Sequence, residues 1–183
     1  MKRLFLLASL LLALAACSGH TVHRLEVDFL SFVPQADRSG ELMANADVKF
    51  PDDPAGQPIP VPGAEALLGG KIALKVQLEN TGTTPASGVL EVRMGPKTDT
   101  DLYDNTGGDI QAASLTLNLD PGKTEEASLL LDLSPNTPAF NLVKSGEFRI
   151  GARLSLSGDK VAYTLTQGEI TLRLKLFNLI PNP

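Results

Sequence analysis

Residues 71–82, Lys71-Ile72-Ala73-Leu74-Lys75-Val76-Gln77-Leu78-Glu79-Asn80-Thr81-Gly82, decide the fold. Ile72, Leu74, Val76 and Leu78 alternate with Lys71, Ala73, Lys75, Gln77 and Glu79, a period of two that places one face in a core and the other in water. A surface helix would instead repeat its apolar residues about every 3.6 positions. Asn80-Thr81-Gly82 supplies the turn chemistry that ends the strand.

The same alternation recurs on both sides of this segment. Downstream, Leu90, Val92 and Met94 mark a second strand, Leu115, Leu117 and Leu119 a third, and Ala127, Leu129, Leu131 and Leu133 a fourth. Phe148, Ile150, Ala152, Leu154 and Leu156 follow. Asp120-Pro121-Gly122-Lys123 and Ser157-Gly158-Asp159 are turns, where Pro presets φ and Gly tolerates a positive φ. Upstream, Leu25, Val27 and Phe29 alternate with charged residues, and then Leu30 and Phe32 take the other parity, as a bulge or a strand changing sheets requires. The closing stretch has Val161, Tyr163 and Leu165 on odd positions but Ile170, Leu172, Leu174 and Leu176 on even ones, with Gly168 at the change. Either a glycine bulge in one long strand or a second tight hairpin accounts for that shift.

No stretch after residue 20 sustains a helical period, so the expected fold class is all-β. The expected architecture is an immunoglobulin-like Greek-key sandwich of about seven or eight strands. A closed up-and-down barrel is the alternative. Residues 71–79, 125–133 and 147–156 take the B, E and F positions, with their leucine-rich faces meeting across the core. Aromatic residues are only 5% of the 183-residue chain and Trp is absent, so the core is aliphatic. One sandwich domain is expected over 23–183, with a Pro-rich insertion at about 34–70 carrying Pro51, Pro54, Pro58, Pro60 and Pro62. That density of proline argues against regular ladders there, apart from one short edge strand within Met43 to Phe50. The insertion is an ordered crossover or a recognition loop.

Several short motifs resemble those of CARDB-type domains, the cell-adhesion-related immunoglobulin-like modules of bacteria. They are Val76-Gln77-Leu78-Glu79-Asn80-Thr81-Gly82, Ala86-Ser87, the turn from Leu119 to Thr124, and Gly146-Glu147-Phe148-Arg149-Ile150-Gly151-Ala152. The resemblance spans roughly residues 71 to 156 and implies a binding or display module, with no catalytic residues to carry over.

The amino terminus is an address. Lys2 and Arg3 precede an apolar run from Leu4 to Ala16, the layout of a secretory signal, and its 13 residues fall short of the roughly 20 that span a bilayer. Leu14-Ala15-Ala16-Cys17 resembles the lipobox of bacterial lipoproteins, which implies removal of residues 1–16, acylation of Cys17, and a lipidated tether over 17–22. Cys17 is the chain's one cysteine, so it has no disulfide partner and belongs to no Cys-based metal site. Several acyl chains on one cysteine anchor stably where one alone binds marginally. By the same resemblance, Ser18 after the cysteine directs the protein to the outer membrane of the cell envelope. The outer face of the cytoplasmic membrane is the alternative.

The formal charge is -5, and loss of Lys2 and Arg3 takes it to -7, which gives no basic footprint for nucleic acid. His20 and His23, the only histidines, sit beside the anchor as solvated tether residues, so a Ser-His-Asp triad would have to borrow its base from there. No enzyme and no cofactor is expected. The segment from Asp99 to Asp109 has the general character of an oxygen-rich calcium loop, with Asp99, Asp101, Asp104 and Asp109 as weak calcium candidates. Its spacing departs from an EF-hand, because Tyr103 stands at position five and Ile110 at position twelve. The run Leu176-Phe177-Asn178-Leu179-Ile180-Pro181 is apolar on both parities, either buried or a docking patch. The functional expectation is a lipid-anchored β-sandwich that binds or scaffolds another envelope component, a protein. A carrier of an apolar or lipid ligand is the alternative.

Overall fold

A computed structural model describes residues 22–43 and 45–175. The lipobox, Cys17, His20 and the run from Leu176 to Pro181 lie outside the described residues. In chain order the strands are β1 (His23–Asp28), β2 (Ser39–Leu42), β3 (Asp47–Phe50), β4 (Gln57–Pro60) and β5 (Leu67–Asn80). They continue with β6 (Ala86–Pro96), β7 (Ile110–Leu119), β8 (Thr124–Leu133), β9 (Glu147–Ser157) and β10 (Val161–Leu174). One short helix, α1 (Pro138–Lys144), links β8 to β9.

The strands form two antiparallel sheets packed face to face. The first has the order β1-β10-β5-β8, and the second β3-β9-β6-β7. β1 and β2 share one edge of β10, β1 beside Glu169 to Leu174 and β2 beside Val161 to Thr164. β3 and β4 share the edge of β9 in the same way, beside Ala152 to Ser155 and Glu147 to Ile150. With each split pair counted as one edge position, every connection crosses between sheets except β6 to β7. Eight positions connected in this way are the jelly-roll form of the sandwich.

The alternation of the deciding segment is realised in β5, where Ile72, Leu74, Val76 and Leu78 are all buried. β5 pairs with β8 in the register Leu74↔Leu129 and Val76↔Ala127, while β9 lies in the opposite sheet, so the B, E and F assignments fall on the expected sides. The immunoglobulin strand order does not hold. There the strand after F stays beside F. Here β10 crosses over and lies between β1 and β5. Alternation tells a strand which face is buried but not which neighbour it takes, and this is where the two topologies part.

The expectation that ladders are excluded from 34–70 is corrected, since β2, β3 and β4 all lie there. Prolines fit because these are edge strands. In β4, exposed Pro58 and Pro60 flank Ile59, which is buried opposite Phe148. A proline at an edge gives up no ladder bond when its missing N–H faces outward. The strand expected within Met43 to Phe50 is the four-residue β3.

β10 is one continuous strand. Its register with β5 slips between Leu165 and Gln167, so the bulged residue is Thr166, not Gly168. The helix α1 closes one end of the core with Ala139, Phe140 and Val143. It is capped by Thr137, whose hydroxyl accepts from the Phe140 N–H at 3.2 Å.

Candidate functional site

Each split edge leaves a gap, and the two gaps open on one apolar cleft between the sheets. On β10, β1 ends opposite Glu169 and β2 begins opposite Thr164, and the intervening chain forms a 3-10 turn at Phe29–Phe32. On β9, β3 ends opposite Ala152 and β4 begins opposite Ile150, leaving Gly151 without a strand partner on that edge. Phe29, Leu30, Phe32 and Val33 line one side of the cleft, and Phe50 and Pro51 the other. Leu74, Val92 and Leu165, all buried, also line it. The space within the cleft is about 40 Å³.

Local hydrogen bonds hold this shape. Asp28 Oδ1 accepts from the Leu30 N–H at 3.0 Å and so caps the turn. Arg38 donates to the Leu30 carbonyl at 2.7 Å and to the Val33 carbonyl at 3.1 Å, fixing its far side. The turn lies against Gly168, where a Cβ would stand 2.7 Å from the Phe29 ring and 2.9 Å from Leu30. The glycine at the parity shift thus provides close approach rather than a bulge. Phe50 of β3 meets Tyr163 of β10 edge to face at a centroid distance of 5.3 Å, joining the sheets beside the cleft. Burial raises the Tyr163 pKa, with the charges of Asp37 and Asp52 acting in the same direction. Phe32 at the mouth is 50% exposed. Gln57 is the one polar side chain of the lining, so the cleft presents shape and apolar surface and no acid, base or nucleophile.

The aspartate-rich connection between β6 and β7 braces the wall behind the cleft. Leu102 is fully buried, with its N–H donating to the Pro54 carbonyl at 2.9 Å. The Tyr103 hydroxyl donates to the Ala152 carbonyl at 3.0 Å, and Lys49 sits 4.6 Å over the Tyr103 ring. Burial, reinforced by the negative charge of Glu91, pushes the Tyr103 hydroxyl well above its ordinary pKa, so it acts as a neutral donor.

The four aspartates do separate work in this loop. Asp99 Oδ1 accepts from the Asp101 N–H at 3.0 Å, and Asp101 Oδ1 from the Tyr103 N–H at 2.9 Å. Asp104 accepts from both the N–H and the hydroxyl of Thr106, each at 2.7 Å, and these bonds lower its pKa. Asp109 is buried against Arg93 of β6. Arg93 also donates to the Leu102 carbonyl at 2.7 Å and the Asn105 side chain at 2.8 Å. Asp99 Oδ2 and Asp109 Oδ1 are buried without a hydrogen-bond partner among the described residues. No group of three or more His, Cys, Asp or Glu among the described residues is arranged to hold a metal ion. Sequence reading missed Arg93, because it occupies a polar parity of β6 that alternation assigns to water. A loop of thirteen residues, 97–109, covers that face instead. The one available signal was a basic strand residue followed by a run of four aspartates.

Residues 1–18 match the family model described as prokaryotic membrane lipoprotein lipid attachment site, which supports a bacterial lipoprotein held to a membrane through Cys17. No curated protein matches the chain. Among solved structures, the chain is similar to the infectious bursal disease virus Gt strain structure at 8% identity and a TM-score of 0.47, covering 84% of this chain and 33% of that one. It thus spans about a third of the length of that viral chain. The PRD1 vertex protein P5 matches at 11% identity and a TM-score of 0.36, covering 85% of this chain and 97% of that one. β-Glucosidase 3B from Thermotoga neapolitana in complex with glucose matches at 18% identity and a TM-score of 0.29, covering 49% of this chain and 11% of that one.

Proposed function

We propose that this chain is a non-enzymatic, lipid-anchored protein of the cell envelope whose sandwich binds another envelope protein by taking an apolar side chain into the open-edge cleft. The observation that carries this reading is the cleft itself, lined by aromatic and aliphatic residues from both sheets and entered past the half-exposed Phe32. Its size favours a side chain over a lipid. Space of about 40 Å³ exceeds the roughly 10–15 Å³ that one water needs but falls far below the roughly 150 Å³ of an apolar cavity that holds benzene. The outer membrane is the proposed location, on the strength of Ser18 after the acylated cysteine.

The test is site-specific photocrosslinking in native envelopes, with a benzophenone side chain at position 32 and, as a control, at the exposed Leu130 on the outer face of β8. The expected result is a discrete protein adduct from position 32 alone, lost when Ala152→Leu fills the cleft while the variant still melts cooperatively. An adduct equally strong from both positions, or one that survives Ala152→Leu, would sink the reading.

A further inference from the structure

A second depression, of about 350 Å³, lies on the outer face of the first sheet, at the end where β1 begins. It is lined by Arg24, Lys71, Arg173, Thr171 and Asp132 around Gly70. Arg24 and Arg173 stand directly opposite one another in the β1–β10 register. Like charges in that position repel, and an isolated sheet gains nothing from the pairing. Arg24 is held by Glu26 at 2.6 Å and lies 4.0 Å from Glu169. Neither Lys71 nor Arg173 has a carboxylate within ion-pair distance among the described residues, although Asp132 shares the rim. The absence of a side chain at Gly69 leaves room for the Arg173 guanidinium, whose Nη2 would lie 3.1 Å from a Cβ there.

The position of this cluster restricts its partner. Cys17 precedes His23 by six residues, a span of at most about 20 Å even when fully extended. Arg24 follows His23 at once, so the acylated cysteine keeps the depression within reach of the bilayer surface. The chain is acidic, at -5 and at -7 once Lys2 and Arg3 are removed, so an anionic membrane repels most of it, and the end carrying unpaired cations is the end that such a surface draws in.

We infer that Arg24, Lys71 and Arg173 form a docking site for the phosphate of an anionic phospholipid in the membrane that holds the anchor. This contact sets the orientation of the sandwich on the bilayer. The two arginines and the lysine neutralise the headgroup, and the headgroup relieves the Arg24–Arg173 repulsion.

The acylated full-length protein tests this when reconstituted in vesicles of phosphatidylcholine alone or of phosphatidylcholine mixed with phosphatidylglycerol. The readout is the rate at which Lys71 is acylated by an amine reagent, relative to Lys123 in the turn at the opposite end of the sheet. Phosphatidylglycerol is expected to slow Lys71 about fivefold with no change at Lys123, and added salt to restore the rate. Arg173→Gln should abolish the slowing while melting as the parent does. Equal Lys71 rates in the two vesicle types would overturn the proposal. So would inorganic phosphate slowing Lys71 as strongly on phosphatidylcholine vesicles as phosphatidylglycerol does, since the site would then take a free oxyanion.

Discussion

Arg93 and Asp109 form an ion pair with both side chains withdrawn from water, 6% and 0% exposed. The pair joins β6 to the end of the loop that follows it. Buried pairs of this kind add little to stability over an apolar pair, but losing one partner strands the other as an uncompensated charge. Glu91, 4.0 Å from Arg93, relieves only part of that. Asp109→Ala should therefore lower the unfolding free energy by about 3 kcal/mol, whereas Arg93→Met combined with Asp109→Ala should recover most of the loss. Urea titration of the single and double variants measures this, and a double variant as unstable as the single one would refute it.

Asn80, fully buried at the end of β5, is a second polar fixture. Its amide donates to the carbonyls of Thr84 at 2.8 Å and Leu119 at 2.9 Å, and its oxygen accepts from the Gly82 N–H at 2.9 Å. Asn80→Ala leaves these groups without a partner in a site that excludes water, at a cost of about 2 kcal/mol. Asn80→Asp keeps the acceptor but loses both donor bonds and should be no better. A melting temperature for either variant within a degree or so of the parent would contradict this account.

The strands were legible because half-buried sheets write a period of two into the sequence, and the segment from Lys71 to Glu79 shows it without interruption. The turn at Asn80 was legible as a turn, but the burial of its side chain was not. The strand order stayed hidden, because Val161 to Leu174 shows the same alternation whether it lies beside β9 or beside β5. The edge strands stayed hidden for another reason. β2, β3 and β4 have four residues each, too few for a period, and β4 carries two prolines that argue against a ladder until its edge position is known. The cleft follows from the splitting of those edges, so it too was out of reach. Gly168 was the exception, marking a special place even though the bulge falls at Thr166.

Gly168 gives the next prediction. Gly168→Ala puts a methyl group within 2.7 Å of the Phe29 ring and 2.9 Å of Leu30, so the turn that walls the cleft must move outward. Overpacking of this kind costs about 1–2 kcal/mol. The Leu30 amide, bonded to Asp28 Oδ1, should exchange faster with solvent in the variant while amides of β5 stay protected. Unchanged exchange at Leu30 would show that Phe29 does not rest on this glycine.

Asp159 supplies the acid sensitivity of the turn end. Its carboxylate accepts from the N–H groups of Lys160 at 2.8 Å, Thr83 at 2.7 Å and Thr84 at 3.1 Å. These bonds, Lys160 first, hold its pKa at about 2, below the ordinary 3.8. Because the folded value lies below the unfolded one, protonation favours the unfolded chain. The contribution is fully present above the unfolded value and is lost as pH falls from about 4 toward about 2. Asp159→Asn cannot take part in that titration. The stability gap between parent and variant should hold its full value above about pH 5, narrow through that window and level off below about pH 2. Asp47, lowered by its hydrogen bonds to Arg153, titrates in both proteins and cancels from the difference. Denaturant midpoints measured across the acid range decide it: a gap that holds constant from neutral pH down to acid would mean that the three N–H groups do not stabilise the charged form.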